Sequence, residues 1–138
     1  MLKDSGCNGL FFGVESMNAE TLNRLRKGTT PEMIETAINK TYESGIPVWT
    51  SLMMGYPWET ESQLKASMDK YTEISKGKVF HTYSAFITPF PGTDFHHYCR
   101  SNDLIEDPNY LRSDCSTPAL KTEIPRERLV EMHREFRK

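Results

Sequence analysis

Three polar positions close or interrupt apolar runs in this sequence, and they are the places where chemistry is expected. Glu15 and Ser16 end the run Gly9-Leu-Phe-Phe-Gly-Val-Glu-Ser16, Ser51 lies inside Pro47-Val-Trp-Thr-Ser-Leu-Met-Met54, and Thr88 ends the run Val79 to Ile87. A carboxylate such as Glu15 can accept both hydroxyls of a ribose; a solvated turn, with Ser16 helping to cap the next helix, accounts for the same residues equally well. Gly55-Tyr-Pro-Trp-Glu-Thr60 is a tight turn after an apolar run. Its glycine would let backbone approach a flat ligand, and Met53 and Met54 can pack on a ring, although an ordinary turn with core methionines explains this segment taken alone.

Other chemistry-bearing residues are less suggestive. His96 and His97 would point about 100° apart on a helix, which disfavours a shared metal and favours surface placement. Cys7, Cys99 and Cys115 are widely spaced and form no CxxC pair, so neither a zinc site nor a disulfide framework is signalled. No nucleophile elbow, phosphate loop or paired-carboxylate motif is present.

The elements that must hold these residues alternate between extended and helical patterns. After the first strand, Asn18 is expected to cap a short helix carrying Leu22 and Leu25 and stopped by Gly28. Thr30-Pro31-Glu32 starts a second helix with Ile34, Ala37, Ile38, Thr41 and Tyr42 at helical spacing and Gly45 as its left-handed stop. Thr60-Glu-Ser-Gln63 reads as a capping box, opening a third helix that buries Leu64, Met68, Tyr71 and Ile74 and ends near Gly77. Thr88-Pro-Phe-Pro-Gly-Thr93 closes the third strand, Phe95 to Cys99 reads as a helical turn, Asn102 to Thr122 as an irregular connection, and Glu127 to Phe136 as a last helix.

The order β-α-β-α-β predicts an α/β fold with three parallel strands joined by right-handed crossovers, the second and third covered on both faces. Three such strands cannot close a barrel and leave open edges. The opening Met1-Leu-Lys-Asp-Ser-Gly6 resembles the last turn of a helix stopped by Gly6, whose preceding strand is expected upstream. The division expected is residues 1–93 as the βα part and residues 94–138 as an extension ending in the last helix.

The 138 residues suffice for one domain, and 17 Lys and Arg against 19 Asp and Glu give a net charge of −2. That balance disfavours a bulk electrostatic nucleic-acid or membrane binder, and no apolar run approaches the roughly 20 residues that span a bilayer. The opening lacks the apolar stretch of a secretory signal, so the cytoplasm is the expected compartment.

Four motifs then stand in order: Cys7-Asn-Gly-Leu-Phe-Phe-Gly-Val-Glu-Ser16, Leu25-Arg-Lys-Gly-Thr-Thr30, Met54-Gly-Tyr-Pro-Trp-Glu-Thr60 and Thr88-Pro-Phe-Pro-Gly-Thr93. Together they resemble the second half of the radical S-adenosylmethionine (radical SAM) core, nearest in flavour to the branch that often carries a cobalamin-binding domain. The resemblance covers roughly residues 1 to 93, with a looser match through Pro118-Ala-Leu-Lys-Thr122. It implies a partial (β/α) barrel, with these strands as the fourth to sixth of six βα units. It further implies that Glu15, with Ser16 beside it, faces the SAM ribose, that Ser51 offers that ribose a second polar group, and that Lys27 meets the methionine carboxylate. Met53, Gly55 and Ile87 would lie against the adenine.

The family's Cys-x3-Cys-x2-Cys loop, which holds the four-iron four-sulfur cluster, has no counterpart among these cysteines. The resemblance therefore implies a fragment that contributes SAM contacts to a parent enzyme and is inert alone. The parent would cleave SAM to a 5′-deoxyadenosyl radical, with methyl transfer if cobalamin is present, on a small-molecule substrate that the sequence does not identify. The expected partner is the N-terminal half of the barrel. The alternative is a non-catalytic half-barrel that pairs with itself or with another chain bearing the remaining strands.

Overall fold

The computed structural model describes residues 2–112 and 115–138. Met1, and Ser113 and Asp114 within the irregular connection, lie outside the described residues. In chain order the elements are β1 (Leu10–Glu15), α1 (Ala19–Arg24), α2 (Pro31–Glu43), β2 (Val48–Met54), α3 (Glu61–Ser75), β3 (His81–Phe86), α4 (Asp94–Ser101) and α5 (Arg126–Phe136), with a single 3-10 turn at Tyr110–Arg112. The strands form a parallel sheet in the order β1-β2-β3, the α/β arrangement of a partial βα barrel. The chain divides into two compact units, Met1–Leu52 with Ala66–Tyr83, and Met53–Lys65 with Ser84–Lys138.

In the first unit the helix ends follow local hydrogen-bonding chemistry. Asn18 accepts from the N–H groups of Glu20 and Thr21, and Thr30 from that of Met33, with Pro31 opening α2. Gly45 (φ +69) stops α2 through the reversed bonds Gly45 N–H to Tyr42 O and Ile46 N–H to Thr41 O. Gly6 (φ +85) makes the same pair of bonds, from itself to Lys3 O and from Cys7 to Leu2 O, so residues 2–7 do close as the end of a helical turn. The stop of α1 differs from expectation. Arg26 (φ 52), two residues before the likewise left-handed Gly28 (φ +69), already ends the helix, with Arg26 N–H on Asn23 O and Lys27 N–H on Leu22 O. Those two bonds satisfy the last carbonyls of α1 and leave Lys27 outside the helix.

The core of this unit is Val14, Leu22, Ile34, Ile38, Val48 and Leu52 with Tyr71 and Ile74 of α3, each side chain contributing about 1.5–3 kcal/mol on burial. Tyr42, expected on the buried stripe of α2, is instead 51% exposed and lines an open cleft of about 490 Å³ with Ile46, Pro47 and Phe80. Burial along β2 alternates: Val48, Thr50, Leu52 and Met54 are buried, while Trp49, Ser51 and Met53 are half-buried. The expected cover on both faces is therefore not found along β2, whose second face stays half-open. On that face Phe11 and Tyr83 are 58% and 54% exposed, their rings 5.8 Å apart.

The second unit opens with the predicted capping box: Thr60 N–H donates to Gln63 Oε1 at 3.0 Å and Gln63 N–H to Thr60 Oγ1 at 3.3 Å. Thr93 caps α4, which is a full helix of 8 residues and not a single turn. The connection after it is less irregular than its composition suggests. Ile105 and Leu120 form an antiparallel bridge, flanked by Lys121 N–H to Leu104 O and Glu106 N–H to Ala119 O. Arg128 of α5 reaches Glu61 at 2.7 Å, and Leu129 and Met132 join Met54, Leu64, Phe86 and Cys99 in the core. His96, expected at the surface, is only 9% exposed, whereas His97 is exposed. The register of α4 that buries Cys99 turns His96, three residues earlier, to the same side.

Candidate functional site

β1 ends in a sharp reversal. Ser16 N–H donates to Val14 O at 2.8 Å, closing a three-residue turn with Glu15 (φ 64) at its centre. That conformation is strained for a residue with a side chain, and such strain concentrates at functional sites. The pairing with β2 slips at this point, from Gly13 opposite Ser51 to Glu15 opposite Leu52.

The reversal carries the Glu15 side chain back over Gly13. A Cβ placed on Gly13 would lie 2.4 Å from Glu15 Oε1 and 3.1 Å from Lys27 Nζ, so both charged groups rest on the bare backbone of this glycine. Lys27 Nζ donates to Glu15 Oε1 at 3.2 Å, with the two side chains 34% and 23% exposed. Ser51, half-buried, is the register partner of Gly13, and in-register residues of neighbouring strands share a face. Glu15 and Lys27 therefore meet over Gly13, with Ser51 on the neighbouring strand, at the carboxyl end of the strands, where parallel α/β folds collect their ligand groups. Thr29, two residues beyond Lys27, has a buried hydroxyl oxygen with no hydrogen-bond partner.

Ser16 is placed differently from its neighbour. Its side chain is 2% exposed, lies 3.3 Å from Ser67 Oγ and accepts from Asn18 N–H at 3.0 Å, while Met17 N–H donates to Ser67 at 2.7 Å. These bonds tie the turn after β1 to α3, so Ser16 positions the turn that carries Glu15.

In the second unit, Met53 is half-buried at the end of β2, and Ile87 N–H donates to Met54 O at 2.8 Å just beyond β3. Gly55 (φ +86) has its side-chain space filled by Leu129, whose Cδ2 lies 3.1 Å from the Cβ position. The glycine is thus required by its backbone angle and by the close approach of α5. Thr88 is buried with its hydroxyl on Cys115 Sγ at 3.3 Å.

Metal-binding chemistry is poorly provided. Among the described residues no group of three His, Cys, Asp or Glu side chains is gathered around a common point. Burial pushes the Cys99 thiol up to about 11, away from the thiolate form that ligates iron. The donor set in this chain does not fit a four-iron four-sulfur cluster. The corner formed by Glu15, Lys27 and Ser51 does fit the polyhydroxyl and zwitterionic character of SAM.

Gly13 was not among the residues singled out from the sequence. Its signal was a glycine in the middle of an aromatic-rich strand, where the residue type is depleted unless another group must approach the backbone.

The sequence model of the radical SAM superfamily matches residues 1–71. The chain belongs to the radical SAM superfamily. It is 28% identical over 120 residues to an uncharacterized methyltransferase of Pyrococcus horikoshii, covering 87% of this chain and 26% of that protein. It is also similar to two proteins of Chlorobaculum tepidum. The bacteriochlorophyllide d C-8(2)-methyltransferase is 27% identical, covering 75% of this chain and 23% of the relative. For the C-12(1)-methyltransferase the figures are 25% identity, 66% and 20%. The chain spans about a quarter or less of the length of these relatives, 20–26%. Among the described residues no helix is long and apolar enough to cross a membrane.

Proposed function

We propose that this chain supplies SAM-facing residues of a radical SAM enzyme, with Glu15 accepting the ribose hydroxyls, Ser51 adding a second polar contact, and Met53, Gly55 and Ile87 lying near the adenine. The observation that carries the reading is the carboxylate of Glu15 folded over the bare Gly13 beside Ser51. A carboxylate offers about four lone-pair positions, and Lys27 uses one, which leaves acceptors for a diol. SAM, when bound in a complete enzyme of this family, supplies the 5′-deoxyadenosyl group for radical chemistry. This chain's residues bind and orient it, and the cluster ligands come from elsewhere in the whole protein. The whole protein is then a methyltransferase of the cobalamin-associated branch acting on a small molecule in the cytoplasm, and the 138 residues alone are inactive. The names of the relatives support methyl transfer, and the motif resemblance supports cobalamin.

Titrating the chain with SAM and with 5′-deoxyadenosine, followed by amide chemical shifts, tests the reading. Glu15→Ala should weaken both ligands about tenfold or more, the size of a lost hydrogen-bonded carboxylate. Equal affinities for wild type and variant would remove Glu15 from the site.

The open sheet face favours a second reading, a non-catalytic half-barrel that associates with itself or with a partner. Phe11, Phe80 and Tyr83 are each more than half exposed there, and such surfaces are usually covered. Size-exclusion chromatography with light scattering should then report a dimer; a monomer at high concentration would reject self-association.

A further inference from the structure

We infer that Lys27 serves the ribose end of the ligand by holding the Glu15 carboxylate in place, and that Gly13 is the bare floor on which the pair is assembled. The inference rests on the role proposed for Glu15 and departs from the role that family resemblance gives Lys27, an anchor for the methionine carboxylate. Three observations lead to it. Lys27 Nζ sits 3.2 Å from Glu15 Oε1, and the side chains are 34% and 23% exposed, so water only partly competes for the pair. Both charged atoms press on one backbone position, 3.1 Å and 2.4 Å from where a Gly13 side chain would begin. The early stop of α1 at Arg26 places Lys27 in the loop that makes this reach possible.

The physical consequence is a division of labour. Glu15 stands on a strained turn with only one hydrogen-bond partner among the described residues, so without Lys27 its carboxylate would sample several rotamers. An ammonium against one oxygen fixes the rotamer and leaves the other oxygen for the ligand. A lysine committed in this way makes no separate contribution to a distant carboxylate unless it lets go of Glu15. Lys27 is thus a positioning residue.

Two ligands separate the roles, because 5′-deoxyadenosine has the ribose and adenine of SAM but no methionine. Lys27→Met keeps the stem and removes the charge. It should weaken both ligands by the same factor, about fivefold, as expected for loss of a half-buried charge pair. Gly13→Ala should weaken both in the same way by displacing the pair, and Lys27→Arg should recover most of the loss. Thermal unfolding midpoints confirm that each variant is folded. If Lys27→Met weakens SAM alone, or neither ligand, the inference is overturned while the role of Glu15 stands. If wild type does not bind 5′-deoxyadenosine, or Glu15→Ala binds both ligands as wild type does, the reading beneath it fails first.

Discussion

Two polar constellations hang on the sheet of the first unit, and the fold treats them in opposite ways. Under α3, the hydroxyls of Thr50, Tyr71 and Thr82 bond to one another, with Thr50 and Tyr71 only 0% and 2% exposed. At the end of β1, Glu15 and Lys27 hold opposite charges where water still reaches. Neutral hydroxyls can be sealed because three of them satisfy each other, and the cost of leaving water is recovered. A sealed ion pair would lose more in desolvation than it regains unless every lone pair were met. The Glu15 carboxylate has lone pairs to spare, which makes it a poor structural bond and a good ligand acceptor. Polar residues near a sheet are therefore sorted by what remains unsatisfied and open to solvent.

This contrast can be broken first at Tyr71. Tyr71→Ala should destabilise the chain by about 3–5 kcal/mol, through the cavity and the lost hydroxyl together. Tyr71→Phe should cost about 1–2 kcal/mol, because Thr50 is left buried with fewer partners. Chemical denaturation measures both, and a neutral Tyr71→Phe would show that the hydroxyl cluster is incidental.

The opposite sign is expected at the other constellation. Glu15→Gly relieves the left-handed backbone and should raise stability by about 0.5–1 kcal/mol, while weakening ligand binding at least as much as Glu15→Ala. A loss of stability would mean that the ion pair holds the fold and not the ligand.

A smaller, pH-dependent effect concerns His133 of α5, buried with Nε2 2.9 Å from Ser84 Oγ and 3.1 Å from Ser84 O. Only an Nε2–H can donate to that carbonyl. Burial holds the imidazole below its ordinary value of 6.5, against the hydrogen bond to Ser84, and nearby Arg137 adds to the lowering. Below pH 6.5 the unfolded chain then binds more protons than the folded one. Stability is full above that pH and falls as the solution is acidified. His133→Gln should flatten the acid limb of a stability–pH curve, and an unchanged slope would remove His133 as its source.

Much of this was legible in the residues. The caps at Asn18, Thr30 and Thr60 and the stops at Gly6 and Gly45 lie where the sequence placed them, because each is a bond between groups a few positions apart. The strand order and the family motifs, with Glu15 at the end of a strand, were equally readable. What the sequence did not contain was which neighbour each polar group would meet. Ser16 turned inward to Ser67, 51 residues away, and Lys27 turned to Glu15 across 12 residues and over a glycine whose value is the absence of a side chain. The same holds for the half-open face of β2 and for the stop at Arg26. Local bonds are determined by spacing along the chain, whereas burial and long-range pairing depend on what packing brings alongside, and only the tertiary structure decides that.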